Sequence, residues 1–537
     1  MSQHSQIQHS NAGNIFLGVF AIATIRDFIE IAFKGNALLN PSEPVNSLKM
    51  YFLHFNTFYF LVYVSLSLIL YLFARKKVSI SKCFKVGALA MMLIWVAPVF
   101  DYSFSGDFNM FYPPDPMGVI CNLHHIVDPS YQYEGLSIGM RLEILLAGIG
   151  GIGYLFYRTK KIITSVIGGI LISLSCLAIG LLIPFVTQLY EYGWNFGRHE
   201  LYNSMLLHQG FVIHGTGCKI ALIYLFLCIA FFAVAYYIRN PKYFFSIVRN
   251  FRWTRTIHYL LLFCAGLLYA YHHPSFFGIP HNDEFNYLTT IWNHPIDLFG
   301  IFMASLSIFL SFQSAVIYND IYDYNIDIVS NTNRPLVNKT ISMTEYRLIG
   351  KLYALLALSI GFCINETFFF LILLYQLLAF LYSVPPFRLR NYFIVSNIEL
   401  AFIFLLTFHA GTTVLISDYR FEFIPTYITF GLFICYSFAL TVKDSKDYEG
   451  DKRMHVQTVY TLLGKKVGDI VSVFLVCSAI ILTPVLLHLT QLITFSLFII
   501  FLFITILFIN KKYLKERLVI SLYYIYIIVL FFFLTMG

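Results

Sequence analysis

Long apolar stretches, broken by short polar ones, run through almost the whole chain. A stretch of about 20 apolar residues is long enough to cross a bilayer as a helix. Six such runs precede residue 250, at roughly 13–33, 51–74, 84–103, 140–157, 161–187 and 217–238. Nine follow it, at roughly 257–273, 297–319, 344–362, 366–384, 395–416, 424–442, 468–488, 490–510 and 516–536. The strict alternation of a membrane β-strand is absent, so the pattern predicts an all-α integral membrane protein. The first run contains Arg26, Asp27 and Glu30 and no small-residue cleavage site. It reads as a span rather than a signal peptide.

Composition agrees: 58% of the 537 residues are hydrophobic and 12% are charged, against about 25% charged in a soluble domain. The net charge of +8 is therefore a statement about membrane topology, not about nucleic acid. Lys and Arg fall in alternate loops: Arg75 to Lys85, Arg158 to Lys161, Arg239 to Arg255, Arg334 to Arg347, Arg388 and Arg390, Lys443 to Lys466, and Lys511 to Arg517. Basic loops mark the cytoplasmic side, which puts the N-terminus in the cytoplasm and the C-terminus across the membrane. The basic stretch 239–256 divides an accessory domain, 1–250, from a second domain, 251–537. The nine cysteines show no zinc spacing and read mainly as packing residues, with a Cys121–Cys218 pair as the alternative.

Against this apolar background two acidic segments stand out. One runs Asn319-Asp320-Ile321-Tyr322-Asp323-Tyr324-Asn325-Ile326-Asp327, the other Lys443-Asp444-Ser445-Lys446-Asp447-Tyr448-Glu449-Gly450-Asp451. Both space their aspartates at 0, +3 and +7, a spacing that puts three carboxylates on one face of a helix. Both fall on the cytoplasmic side. Six aspartates at one mouth repel unless cations join them, and hard divalent ions take such oxygen ligands. Mg²⁺ characteristically joins one or two carboxylates to substrate phosphates. Asn319 is placed to orient a carboxylate or a phosphate oxygen. Arg334, Lys339, Lys443, Lys446, Lys452, Arg453, Arg388 and Arg390 supply cations suited to phosphate. The bland alternative reads the aspartates as helix caps and solvated charges. It explains one cluster better than two with the same spacing.

At these residues the second half of the chain resembles the UbiA superfamily of intramembrane prenyltransferases. The resemblance rests on N-D-x-x-D-x-x-x-D with its Asn333-Arg334-Pro335-Leu336 tail, on the second D-x-x-D-x-x-x-D running through Gly450-Asp451 to Thr458 and Gly464, and on Tyr382-Ser383 with Pro385-Pro386 and Arg388. It covers about 257–537 and implies a nine-helix prenyltransferase bundle, preceded by an unrecognised domain of about six transmembrane helices. It also implies Mg²⁺-dependent transfer of a polyprenyl group from a polyprenyl diphosphate to a lipophilic acceptor within the membrane, a quinone precursor or a glycerol-phosphate lipid. By this match Asp320, Asp323, Asp327, Asp444, Asp447 and Asp451 hold metal. Asn319, Arg334, Lys443 and Arg388 meet the diphosphate, and Tyr382 lines the position of the allylic cation. Asn338-Lys339 and the segment His455 to Tyr460 depart from the family pattern beside each motif, which leaves the acceptor open. The alternatives are phosphoribosyl transfer to a polyprenyl phosphate and a non-catalytic lipid-binding or transport protein on the same scaffold.

The first 250 residues match no pattern. Their long polar loops carry His124, His125 and Asp128, and Glu191, Trp194, Arg198, His199, Glu200 and His208, read chiefly as solvated residues. Arg26 and Glu30 are i, i+4 and are expected to pair on one helix face. Gly148, Gly150, Gly151 and Gly153 suggest close helix packing.

Overall fold

The computed structural model describes residues 3–34, 49–75, 77–104, 112–193, 204–208, 210, 212–213, 215–273, 294–415, 424–510 and 516–536. Trp194, Arg198, His199 and Glu200 lie outside them. Among the described residues every regular element is a helix, apart from one isolated bridge between Tyr133 and Leu136. Each of the fifteen apolar runs falls on helix, and among the described residues 11 helices are long and apolar enough to cross a membrane. The chain divides into two compact units, residues 1–241 with 291–300 and residues 242–290 with 301–537.

The first unit is built on α1 (Gln3–Lys34), α2 (Phe55–Ala74), α3 (Ile80–Ala90), α4 (Val96–Phe104), α5 (Ile138–Thr159), α6 (Ile162–Tyr192) and α7 (Thr216–Arg239). Lipid tails give helices little hydrophobic reason to associate, so close approach through small residues matters. A Cβ on Gly148 of α5 would lie 2.1 Å from Ser173 Oγ of α6, and one on Gly169 would lie 2.6 Å from Gly148 O. Gly151 joins this contact, its Cβ position lying 2.5 Å from Ile172 Cδ1. Gly150 and Gly153 do not, since a Cβ on either meets open space; the period of the helix turns them away. Arg26 and Glu30 form the expected pair, Nη1 to Oε2 at 2.5 Å, and both are buried.

The second unit contains α8 (Pro241–Asn250, from residue 242), α9 (Trp253–His272), α10 (Pro295–Tyr322, from residue 301), α11 (Tyr324–Ser330), α12 (Met343–Ile364), α13 (Glu366–Ser383), α14 (Phe393–Thr413), α15 (Thr426–Ala439), α16 (Tyr448–Arg453), α17 (Lys465–Leu486), α18 (Leu492–Asn510) and α19 (Glu516–Met536). Side-chain caps start several of them: Ser342 Oγ accepts from Glu345 N at 3.3 Å and Asn365 Oδ1 from Phe368 N at 2.7 Å, each satisfying an otherwise orphaned N–H. Helices α9 and α14 cross backbone to backbone. A Cβ on Gly266 would lie 1.9 Å from Phe408 O, and one on Gly411 would lie 2.0 Å from Phe263 O. This glycine crossing holds Arg252, Arg255, His258 and Tyr259, near the start of α9, around the same cavity as Phe404 of α14.

Candidate functional site

The two acidic segments share a backbone that their spacing alone does not predict. Helix α10 ends at Tyr322, and Asp323 leaves helical geometry, with φ −94° and ψ 12°, before α11 begins. In the second segment a short 3₁₀ turn, Leu440–Asp444, precedes Asp447, which has φ −93° and ψ 5° before α16 begins. The expectation of three carboxylates on one continuous helical face is therefore corrected. Each segment breaks at its middle aspartate, and arginine side chains enter between the carboxylates.

Those partners differ along each segment. Asp320 is 1% exposed. It accepts from Arg252 Nη2 at 2.6 Å, Asn250 Nδ2 at 2.8 Å and the Tyr346 hydroxyl at 3.0 Å, and it pairs with Arg334. Asp323 pairs with Arg388 Nη2 at 3.0 Å and with Arg390, and accepts from Asn319 Nδ2. Arg390 Nη2 also lies 3.1 Å from Asp451 Oδ1 and 3.8 Å from Asp447 Oδ2. One guanidinium thus touches both acidic segments. Arg388 adopts a left-handed backbone, φ 38°, a conformation that costs a β-carbon residue of order 1 kcal/mol. It turns the chain where two arginines only two positions apart both reach Asp323.

Asn331 closes the arrangement. Its Nδ2 donates to Asp327 Oδ1 and to Asp447 Oδ1, both at 2.9 Å. Gly450 allows the approach, for a Cβ there would lie 2.5 Å from Ser330 Oγ and 2.8 Å from Ile326 Cγ2. In the second segment Lys443 Nζ bonds Asn397 Oδ1 at 2.7 Å and Asp444 Oδ2 at 3.1 Å.

These groups face a cavity of about 210 Å³. Asp323, Asp327, Asp444 and Asp447 line it, with Asn319, Asn331, Arg252, Arg255, Arg334, Arg390, Lys443 and Lys446. The rest of the wall combines aromatic rings, among them His258, Tyr259, Phe312, Tyr375, Tyr382, Phe404 and Tyr436, with aliphatic side chains such as Val316, Leu400 and Ile403. Tyr259 packs on Phe312 at 4.6 Å and on Phe404 at 4.7 Å between ring centroids. It lies seven residues beyond Arg252, about 10 Å along the helix, so the cavity grades from charged to aromatic along the spans. Asp320 and Asp451 are not part of the wall, nor is Arg388; Arg390 stands there instead.

Among the described residues, no three carboxylate, histidine or cysteine side chains converge closely enough to hold a metal by themselves. The interleaved arginines keep the six aspartates apart. The donor set nevertheless fits a hard cation. Asp327 Oδ2 and Asp451 Oδ2 are buried and accept no hydrogen bond, and a buried acceptor without a partner is costly. Burial pushes Asp327 up to about 6, against the opposing pull of Arg334. It pushes Asp451 up to about 7, against Arg390. Burial also works to raise Asp447, but Arg390 and Asn331 outweigh it and hold that carboxyl below its usual range. The unpartnered oxygen of Asp327, beside the carboxylate and amide oxygens of Asp323, Asp444, Asp447 and Asn319 on the cavity wall, suits Mg²⁺ better than a soft metal.

Several members of the site were not singled out in the sequence. Asn250, Arg252 and Arg255 lie in a stretch that reads as a basic linker, and Tyr346 is one of 38 tyrosines. Asn331 did carry a signal, because it stands at +11 from Asp320, the next position on the 0, +3, +7 stripe. Arg390 was visible beside Arg388, but nothing local distinguishes the two.

Residues 287–534 match the model of the UbiA prenyltransferase family. The digeranylgeranylglyceryl phosphate synthase of Methanosphaera stadtmanae is 26% identical over 35% of this chain and 67% of that protein. A probable homogentisate phytyltransferase 2 of Oryza sativa is 35% identical over 27% of this chain and 40% of that protein. A solved structure of a UbiA homolog from Archaeoglobus fulgidus bound to GPP and Mg²⁺ covers 54% of this chain and 98% of that one, at 19% identity and a TM-score of 0.39. At that TM-score the likeness carries no argument about the site.

Proposed function

With a UbiA prenyltransferase-family region at residues 287–534 as the premise, we propose that the second domain, residues 251–537, transfers a polyprenyl group from a polyprenyl diphosphate to a lipophilic acceptor within the membrane. The observation that carries this reading is the joining of both acidic segments through Asn331 at one cavity, which is charged at one end and aromatic and aliphatic along the rest. A diphosphate and an apolar chain need those two environments side by side.

Mg²⁺ held by Asp323, Asp327, Asp444 and Asp447 would add positive charge beside a leaving diphosphate. Arg334, Arg390, Lys443 and Lys446 receive the diphosphate oxygens, Arg through its planar fork and Lys as a point charge. The bond between the prenyl C1 and its oxygen breaks, and the electron pair leaves with the diphosphate. The allylic cation then lies against the faces of Tyr382, Tyr259 and Tyr436, which stabilise positive charge. The acceptor's nucleophilic atom forms the new bond to C1 and gives up its proton to the departing diphosphate. Asp320 and Asp451 act through others: Asp320 fixes Arg252 and Arg334, and Asp451 fixes Arg390. The relatives' names supply two acceptor chemistries, the hydroxyl of a glyceryl phosphate lipid and an aromatic ring. The basic-loop pattern favours a cytoplasmic face for the acidic segments, with residues 1–250 as an accessory domain.

The test is diphosphate release by the purified protein from a polyprenyl diphosphate, with each acceptor class in turn and with Mg²⁺ or EDTA. Release that needs Mg²⁺ and one acceptor class supports the reading. Absence of release under every combination, or release unaffected by EDTA, overturns it.

A further inference from the structure

The first unit holds its own cavity of about 120 Å³, set among α2, α3, α5 and α6. Its wall is almost entirely apolar, including Phe58, Leu66, Met91, Met140 and Leu181. Polar surface enters through Tyr59, Tyr112 and Glu143. The Tyr112 hydroxyl is occupied by His54 Nε2 at 2.5 Å. One oxygen of Glu143 accepts from Ala97 N at 2.8 Å, which leaves the other for whatever fills the cavity.

Behind Tyr59 lies a charged cluster. The Arg26 guanidinium sits 5.2 Å from the Tyr59 ring centroid, paired with Glu30 at 2.5 Å and near Asp27 at 3.9 Å. Asp27 and Glu30 are each 1% exposed, yet Asp27 Oδ1 and Glu30 Oε1 accept no hydrogen bond. None of these three side chains, Arg26, Asp27 and Glu30, lines the cavity, so Glu143 is the carboxylate that its wall presents. The other feature is Gly180 of α6, which lines the cavity. A Cβ there would meet nothing within 4 Å. The helices α5 and α6 that touch at Gly148 and Gly169 therefore leave room at Gly180.

We propose that this cavity is a lipid-binding site separate from the transferase chamber. It takes the head and the first few carbons of an apolar chain, the head donating a hydrogen bond to Glu143. An alcohol and a protonated amine share that chemistry. Intramembrane ionisable groups that face a cavity mark such sites, and a mainly apolar pocket with a few convergent polar groups is the form they take.

The experiment uses the full chain in nanodiscs, with radiolabelled geranylgeraniol and radiolabelled stearylamine as probes. Saturable binding of either is expected, and which probe binds identifies the head. Gly180→Leu, whose Cβ has open space and whose bulk enters the cavity wall, weakens binding by at least about tenfold. Gly150→Leu, at an outward-facing glycine of α5, leaves it unchanged. Glu143→Gln weakens stearylamine more than geranylgeraniol. A photoreactive analogue of the bound probe labels residues 138–192, a readout that stands even if Gly180→Leu fails to fold. No saturable binding of either probe, equal binding by the two glycine variants, or labelling confined to peptides outside residues 138–192 overturns the proposal.

Discussion

The segments Asp320–Asp327 and Asp444–Asp451 repeat one backbone but not one set of partners. Each breaks its helix at the middle aspartate, with nearly the same φ and ψ. In the first segment it is the leading aspartate that is withdrawn: Asp320 is held by two guanidinium groups, an amide and a hydroxyl. In the second it is the last: Asp451 is buried against Arg390 with one oxygen unpartnered. Each segment therefore assigns one carboxylate to scaffolding and presents two to the cavity. The shared spacing encodes the chain path, and the cavity wall, which holds Asp323, Asp327, Asp444 and Asp447 but neither Asp320 nor Asp451, separates the two kinds of carboxylate.

Substitutions can break that division. The largest effect is expected at the cavity wall. Asp327→Asn or Asp447→Asn should lower the rate of diphosphate release by at least about 100-fold, measured with the purified protein at saturating Mg²⁺. Removing the bridge comes next. Asn331→Ala should raise the Mg²⁺ concentration for half-maximal release by about 10- to 100-fold, the range for groups that orient metal ligands. Gly450→Ala should drive α11 and α16 apart, since a methyl there collides with Ser330 and Ile326; a roughly tenfold loss of release with the protein still folded is the expected result. The withdrawn carboxylate should behave differently. Asp320→Ala should destabilise the protein by about 3 kcal/mol, because it leaves paired arginines behind, while the Mg²⁺ midpoint of the folded fraction stays where it was. A shifted midpoint in Asp320→Ala would erase the distinction between the two kinds of aspartate.

The sequence made the spans legible because a bilayer demands about 20 apolar residues per helix, a constraint on every segment separately. It made the six aspartates legible because charge is so scarce around them. It did not reveal the helix breaks at Asp323 and Asp447, because spacing alone assumes an unbroken helix and these segments leave one at the middle aspartate. Nor did it reveal Arg252 as the partner of Asp320, 68 positions away, or the crossing at Gly266 and Gly411 that sets α9 against α14. Such contacts depend on which helices meet, and no periodicity within one helix reports that. Asn331 lies between these cases: it stands on the stripe, where nothing singled it out, and only the structure shows that it reaches the other segment.

The central claim is that the two acidic segments act as one site, and a double-substitution cycle tests it most directly. Mg²⁺-dependent diphosphate release is measured for the wild type, Asp327→Asn, Asp447→Asn and the double variant. Residues that work as a unit are strongly non-additive. The account predicts that the double variant is hardly slower than either single one. Losses that multiply, or a single variant that retains wild-type release, would contradict it.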